Sequence, residues 1–137
     1  MTKYAFCSDE YLGEARRILA RLTEEYAPVL GDETFSSCVI CFDAPAHARP
    51  GADGVAAWTM SVGAGASSVT RGRRDDVDSL VQADYASSIP RAQRVLDDAS
   101  PPDEEAGVRR TGDVSQLSDV MRRLLRTLHN ELAVITA

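Results

Sequence analysis

The residues of this sequence that could carry out acid/base chemistry are an aspartate and a histidine placed four positions apart. Asp43 and His47 belong to the segment DAPAHARPGADG, in which two prolines and two glycines predict a loop. Histidine titrates near neutral pH, and a nearby carboxylate would fix its tautomer and raise its basicity. The pair is therefore a candidate general acid/base for a ketone, an enol or an epoxide. The alternative is that Asp43 caps a turn and His47 faces solvent.

Three further side chains could take part in such chemistry. Tyr85 could donate to a developing oxyanion, and Asp84 could serve as an acid or base if it turned inward. We expect His129 to face water on the polar edge of the last helix; under the sheet it would be a second acid/base candidate. The sequence contains no zinc-protease, serine-hydrolase, kinase or phosphate-loop motif. Catalysis is therefore the alternative functional hypothesis and not the primary one.

The three cysteines, Cys7, Cys38 and Cys41, predict no metal site. Cys38 and Cys41 lie in the apolar run SCVICF, which is typical of a strand. Strand positions three apart point to opposite faces, so this pair is not placed to bind one metal ion or to form a disulfide. The sequence also lacks a second cysteine pair or a histidine cluster that would complete a zinc site. We predict no metal and no cofactor, and three small buried side chains.

Composition indicates a globular protein that does not bind nucleic acid. The 137 residues have the length of one domain, predicted over residues 1–137, with 44% hydrophobic and 26% charged residues. A net charge of −6 disfavours nucleic acid. Eight arginines are expected to form a solvated, ion-paired surface: Arg71, Arg73, Arg74, Arg109, Arg110, Arg122, Arg123 and Arg126. No apolar run could span a bilayer, and the start MTKYAFCSDE does not resemble a signal peptide. We therefore predict a cytoplasmic protein.

A long amphipathic helix at residues 113–137 is the element around which the rest must pack. Asp113 is the predicted cap, Gln116 would complete a capping box, and Gly112 marks the preceding turn. One face of this helix carries an apolar stripe, which needs an apolar sheet or groove to cover it. Apolar residues recur along it at spacings of three and four: Leu117, Val120, Met121, Leu124, Leu125, Leu128, Leu132 and Ile135.

The remaining elements predict an α+β fold. A first amphipathic helix is predicted from Ser8 to Ala27, closed by Pro28 and Gly31. A short second helix, capped by Ser87 or Ser88, precedes the acidic connection 97–107. This order of elements indicates a five-stranded, mostly antiparallel sheet with the helices on one face. Strands are predicted at residues 35–42, 55–63, 67–71, 77–85 and 108–111.

Several phrases of the sequence together resemble the sterol carrier protein type 2 family. They are DAPAHARPGADG followed by AAWTMSVGAG, then VQADYASSIPRAQRV, and the ending GDVSQLSDVMRRLLRTLHNELA. The resemblance extends from Ser8 to the C-terminus and includes Asp84 at the end of the fourth strand and Gly112-Asp113 before the last helix. It implies a five-stranded sheet covered on one face by helices, with an elongated apolar tunnel for sterols or fatty acyl chains between them.

Such a tunnel needs an apolar lining and no catalytic motif. Burying about ten methylenes at about 0.8 kcal/mol each would give on the order of 8 kcal/mol, a micromolar affinity before ordering costs are subtracted. The primary hypothesis is therefore that the protein binds a sterol, fatty acyl chain, terpenoid or polyketide. For each lining residue, the alternative is that it simply fills a dry core. The predicted lining is Ile40, Phe42, Trp58, Met60, Val62, Tyr85, Leu124, Leu125 and Leu128.

Two other classes of function stay open. One is an isomerase, cyclase or hydratase that uses Asp43 and His47 at the mouth of the same cavity. The other is an interaction module whose exposed arginines or sheet edge dock a partner. A homodimer is the commonest form of such an interaction.

Overall fold

The computed structural model describes residues 2–63, 65–97 and 107–137 and has an α+β architecture. All the predicted strands and helices are present within these ranges, so the predicted fold class is confirmed. The elements are α1 (Asp9–Leu30), β1 (Thr34–Phe42), a 3-10 turn (Ala46–Ala48), β2 (Ala56–Gly63), β3 (Ala66–Arg71), β4 (Ser79–Asp84), α2 (Tyr85–Gln93), β5 (Val108–Thr111) and α3 (Asp119–Ile135).

The five strands form one sheet in the order β3-β2-β1-β4-β5. β1 and β4 are parallel, and the other neighbouring pairs are antiparallel. The parallel pair arises because the connection after β3 carries the chain past β2 and β1 before β4 begins. Gly72 N–H donates to the Ala57 carbonyl over 2.8 Å, and Asp78 N–H donates to the Ser36 carbonyl over 3.1 Å. In this strand order, β1 is the central strand of the sheet.

The two faces of the sheet carry separate apolar clusters. The inner face packs against the three helices in the main core, and Cys41 belongs to it. Cys38, Ile40 and Ala57 form a small second cluster on the outer face, against which Val77 packs. Because side chains alternate along a strand, Cys38 and Cys41 point to opposite faces, as predicted. All three cysteines are free and buried.

Helix α1 begins as predicted and continues past its predicted end. The Ser8 hydroxyl caps the helix by accepting from Tyr11 N–H over 3.2 Å. Pro28, predicted to close the helix, lies inside its last turn, and the helix continues to Leu30. Leu30 is buried, and its burial offsets the free-energy cost of the backbone hydrogen bond that Pro28 cannot donate. Gly31 ends the helix with a φ of 64°.

Helix α3 begins at Asp119, so the predicted start at Asp113 is wrong. The Asp113 carboxylate accepts from Ser115 N–H over 2.8 Å and so stabilises a local turn instead of the helix. Ser118 provides the cap, since its hydroxyl accepts from Met121 N–H over 3.0 Å. Gly112 has a φ of 113°, and a Cβ there would lie 2.2 Å from a backbone carbonyl oxygen just before β4. The predicted apolar stripe is confirmed, with Met121, Leu124, Leu128 and Leu132 buried.

The boundary between β4 and α2 also differs from the prediction. Val77 precedes β4, and Tyr85, predicted to end the strand, begins α2. Ser88 does not cap the helix, because its hydroxyl donates to the Asp84 carbonyl one turn earlier, over 3.0 Å. The predicted acidic connection lies largely at residues 98–106, outside the described residues.

Candidate ligand-binding pocket

A pocket of about 660 Å³ lies between the inner face of the sheet and helices α2 and α3. Val39, Met60 and Val81 contribute to its sheet side, and Leu125 and Leu128 contribute to its helix side. Pockets that bind small molecules commonly measure roughly 300–1,000 Å³ and are mostly apolar. In volume and lining, this space could therefore accommodate a small organic ligand.

The pocket exists because several inward-facing side chains are small. Ser37 on β1, Ala83 on β4 and Ala92 on α2 all line it, and all three are buried. Protein cores are normally packed as densely as organic crystals, so inward positions usually carry larger groups. Serine and alanine at these places leave space that neighbouring side chains do not fill.

Five of the nine predicted lining residues border the pocket. Trp58 and Met60 reach it from β2, and Leu125 and Leu128 reach it from α3. Ile40 also borders it, although its side chain belongs to the outer-face cluster.

The other four predicted lining residues are not among the described residues that line the pocket. Val62 and Leu124 are buried in the main core. Phe42 is 37% exposed and shares the strand face of Ile40. Tyr85 contacts Phe6 and His47 instead, with ring centroids 5.9 and 5.6 Å away. Whether any of the nine residues contacts a ligand stays a prediction.

His47 and Tyr85 form a hydrogen-bond chain outside the pocket lining. The Tyr85 hydroxyl donates to the Phe6 carbonyl over 2.8 Å, and His47 Nε2 lies 2.7 Å from the Tyr85 oxygen. Because the only hydrogen of this hydroxyl points to Phe6, His47 Nε2 must carry a hydrogen and donate it to Tyr85. Burial, with the nearby Cys7 and Cys41, raises the pKa of Tyr85 to about 12. In this arrangement Nε2 cannot act as a base, and the phenol is neutral near pH 7.

Asp43 is not joined to His47 by a hydrogen bond. Its carboxylate makes no hydrogen bond or ion pair with any residue in the described part of the chain, and its side chain is exposed. The backbone at Asp43 has a φ of 52°, a left-handed conformation that aspartate tolerates in turns. Neither Asp43 nor His47 is among the described residues that line the pocket. Their catalytic role therefore stays a prediction.

Five arginines are among the described residues that line the pocket, and three of them, Arg110, Arg122 and Arg126, were expected on a solvated surface. They come from α2, from the chain after it, from β5 and from α3: Arg91, Arg94, Arg110, Arg122 and Arg126. The position of Arg110 could have been suspected from the sequence. Alternation along the predicted strand β5 places Arg109 and Arg110 on opposite faces of the sheet, so one of the two must point inward.

His129, expected to face water on the polar edge of the last helix, also lines the pocket. It is half-buried, and its Nε2 donates to the Arg94 carbonyl over 2.7 Å. The neighbouring Asn130 accepts from Leu96 N–H over 2.7 Å and donates to the Leu96 carbonyl over 2.9 Å. Together these contacts fasten the chain after α2 to α3. They position one wall of the pocket.

Trp58 contributes a polar atom that no described residue satisfies. Its ring is 6% exposed, and its Nε1 is buried with no hydrogen-bond acceptor in the described ranges. Such a group costs about 1–3 kcal/mol and is uncommon in native proteins. Because Trp58 lines the pocket, a bound molecule with an oxygen acceptor could satisfy this N–H.

The described residues offer neither a cluster of metal ligands nor a membrane-spanning helix. Within residues 2–63, 65–97 and 107–137, no group of three or more His, Cys, Asp or Glu side chains could hold a metal ion. In the same ranges, no helix has the length and apolar character that crossing a bilayer requires.

Comparison with known proteins identifies a structural neighbour. No family model matches this chain, and no curated protein matches it. The solution structure of the protein TT1886, from Thermus thermophilus, superimposes with a TM-score of 0.59 at 13% sequence identity. The match covers 97% of this chain and 93% of that one, which is described as a conserved hypothetical protein and a candidate sterol carrier protein. The likeness shows the fold.

Proposed function

We propose that this protein binds an apolar small molecule in the pocket between its sheet and helices α2 and α3. The observation that carries the proposal is the pocket of about 660 Å³, lined on its inner side by Val39, Met60, Val81, Leu125 and Leu128. Sterols, fatty acyl chains, terpenoids and polyketides are the candidate classes. The structural neighbour, described as a candidate sterol carrier protein, supports the same direction.

The chain contains its own reporter of binding. Trp58 is the only tryptophan of the sequence, and it lines the pocket. A ligand that enters would change the polarity around its indole ring and could supply an acceptor for Nε1. We therefore expect saturable changes in the intensity and wavelength of tryptophan emission when a ligand is added.

Two experiments test the proposal. Purified protein is extracted with organic solvent and the extract is examined by mass spectrometry, and in parallel a fluorescent fatty acid is displaced by candidate lipids. We expect a co-purifying lipid, or displacement with micromolar affinity. No extracted lipid, no displacement at tens of micromolar and no change in Trp58 emission would together contradict the proposal.

The alternative is a small acid/base enzyme that uses Asp43 and His47. The observation nearest to it is the contact of His47 Nε2 with the Tyr85 oxygen at 2.7 Å. Because Nε2 is the donor in this contact, only the other ring nitrogen of His47 could act as a base. Against it, the described lining of the pocket includes none of these three residues. His47→Ala and Asp43→Asn separate the two functions: turnover lost with binding retained would favour the enzyme, and unchanged binding and turnover would remove the pair.

A further inference from the structure

A buried serine hydroxyl on the floor of the pocket has no hydrogen-bond partner in the described part of the chain. Ser37 lines the pocket from β1 and is 9% exposed. Alternation along β1 places its side chain on the inner face of the sheet with Phe35 and Val39, which also line the pocket. Within residues 2–63, 65–97 and 107–137, no group hydrogen-bonds to the Ser37 hydroxyl. This hydroxyl can therefore both donate to and accept from a bound molecule.

The two strands beside Ser37 do not supply the missing partner. On β4, Ser79 is the register partner of Ser37, and its own hydroxyl accepts from the Arg110 guanidinium. On β2, the register partner is Met60, whose thioether is only a weak acceptor. Ser37 is thus a polar group with a buried, largely apolar surrounding and one open side, which faces the pocket.

Burial makes this hydroxyl selective for what fills the pocket. A hydrocarbon lying over Ser37 would exclude water from the hydroxyl and offer no polar atom in return, which costs free energy. A ligand with a hydroxyl or carbonyl oxygen at this place would replace the hydrogen bond to water by one to itself. Sites with a buried hydrogen-bonding group discriminate in this way against analogues that lack the matching atom.

Ser37 lies part-way across the pocket and not at one end of it. The strand order places β1 one spacing, about 5 Å, from β2 and two spacings, about 10 Å, from β5. Trp58 of β2 and Arg110 of β5 both line the pocket. A ligand that extends across the sheet between these two strands therefore passes over Ser37 with the interior of its body.

We propose that Ser37 determines ligand specificity, and that the ligand is an apolar molecule with a hydroxyl or carbonyl oxygen in the interior of its body, hydrogen-bonded to Ser37. This inference rests on the proposed function and chooses among its candidate classes. Oxygenated terpenoids and polyketides carry oxygen atoms along their bodies. A sterol or a saturated acyl chain carries its oxygen at one end, so it would leave Ser37 against hydrocarbon.

The test compares three ligands with the same number of carbon atoms: dipentyl ketone, methyl nonyl ketone and undecane. Their dissociation constants are measured from Trp58 emission. We expect dipentyl ketone, whose carbonyl is central, to bind the wild-type protein at least about threefold more tightly than undecane, as one hydrogen bond allows. Methyl nonyl ketone, whose carbonyl is next to its end, should bind at least about threefold more weakly than dipentyl ketone.

Two variants assign the preference to one hydroxyl. Ser37→Ala should lower the preference for dipentyl ketone over undecane at least about threefold and leave the affinity for undecane within about twofold of the wild type. Ser61→Ala is the matched control and should keep the preference. Ser61 points to the outer face of the sheet, where its hydroxyl lies 2.6 Å from that of Ser68.

Thermal denaturation of the ligand-free protein separates binding from a structural role. Ser37→Ala should unfold at the wild-type temperature or above it, because no hydrogen bond within the described ranges is lost. A lower unfolding temperature would show that the hydroxyl already has a partner in the folded protein, and would contradict the inference.

The binding outcomes distinguish this inference from the proposed function. Equal affinity of the wild type for dipentyl ketone and undecane would overturn the inference and leave the proposed function standing. No binding of any of the three ligands would overturn both. An unchanged preference in Ser37→Ala, or an equal loss in Ser61→Ala, would overturn the assignment to Ser37. Equal binding of the two ketones would overturn the interior position of the oxygen.

Discussion

Beneath α1 the inner face of the sheet is covered by large apolar side chains, whereas beneath α2 and α3 it leaves a pocket. On the α1 side, Leu19 and Leu22 are 0% and 1% exposed. On the other side, Ser37, Ala83 and Ala92 face the pocket. The same sheet thus serves as the floor of a dense core and of a hollow. Side-chain volume at the inward positions makes the difference.

The comparison indicates a division of roles between the two sides. The dense side joins α1 to the sheet and to α3, and Arg21 of α1 forms an ion pair with Glu131 of α3 at its surface. The hollow side combines apolar walls with the arginines and His129. We therefore expect changes on the α1 side to act mainly on stability, and changes on the α2–α3 side to act mainly on binding.

Truncating one leucine on each side gives the largest expected contrast. Leu19→Ala should lower the free energy of unfolding by about 2–5 kcal/mol, because it opens a cavity in a dense core. Leu125→Ala removes the same atoms from a half-buried residue beside existing space, and should cost less than about 2 kcal/mol. Urea denaturation measures both. Equal losses would show that the two sides are packed alike.

Enlarging one alanine on each side is the opposite kind of change and tests the same difference in packing. Ala15→Leu, on α1, should destabilise the protein by about 1–3 kcal/mol, since Ala15 is 1% exposed in the dense core. Ala83→Leu, on β4, extends into the pocket, so we expect little loss of stability and at least about tenfold weaker binding of a long-chain ligand. Thermal denaturation and ligand titration measure the two effects. Unchanged affinity in Ala83→Leu would contradict the assignment of this pocket as the binding site.

The elements were predictable because their signals are local. The stripe of α3 and the cap of α1 at Ser8 follow from helical spacing and from the hydroxyl that accepts a free amide. The start of α3 could not be predicted in the same way. Asp113 and Ser118 are both acceptable caps, and Ser118 N–H is also held by Glu33, which is distant in sequence, over 3.0 Å.

The pocket was less predictable than the fold, since it depends on what lies opposite each residue. Trp58 and Met60 were named because large apolar residues were assumed to line a cavity, and both border it. Small residues such as Ser37 and Ala83 create the space, yet serine or alanine in a strand has no distinctive pattern. Arg110 was missed because a charged residue was assumed to face water, although alternation in a strand places every second residue inside.

Removing the N–H of Trp58, for which the described residues offer no acceptor, tests what kind of ligand the pocket accepts. Trp58→Phe keeps an aromatic ring but lacks the indole donor, so affinity for a long-chain ketone should fall up to about tenfold, as the loss of one hydrogen bond allows. Affinity for the alkane of the same length, the matched control ligand, should change much less. Because the variant lacks tryptophan, calorimetry or probe displacement replaces emission. Equal losses for both ligands would indicate lost packing instead of a lost hydrogen bond.

Tyr85 belongs neither to the residues packed beneath α1 that are contrasted above nor to the described pocket lining, so we expect its replacement to have the smallest effect. Tyr85→Phe removes the hydrogen bonds to Phe6 and His47 and should cost about 0.5–1.5 kcal/mol at neutral pH without changing ligand affinity. Tyr26→Phe, a half-buried tyrosine on α1, is the matched control. Ligand affinity reduced in Tyr85→Phe alone would show that the His47–Tyr85 pair belongs to the binding site after all.

The pH dependence of stability provides a second measurement on the same residue. The folded pKa of Tyr85 is raised to about 12, above the value near 10 of an unfolded tyrosine. Its contribution to stability is therefore fully present below about pH 10 and is lost as the pH rises through about 12, because the unfolded chain releases the proton first. Denaturation at several alkaline pH values should show a shallower decline for Tyr85→Phe than for the wild type. Identical declines would mean that the phenol of Tyr85 titrates as freely in the folded protein as in the unfolded chain, which is incompatible with a hydroxyl held by the Phe6 carbonyl.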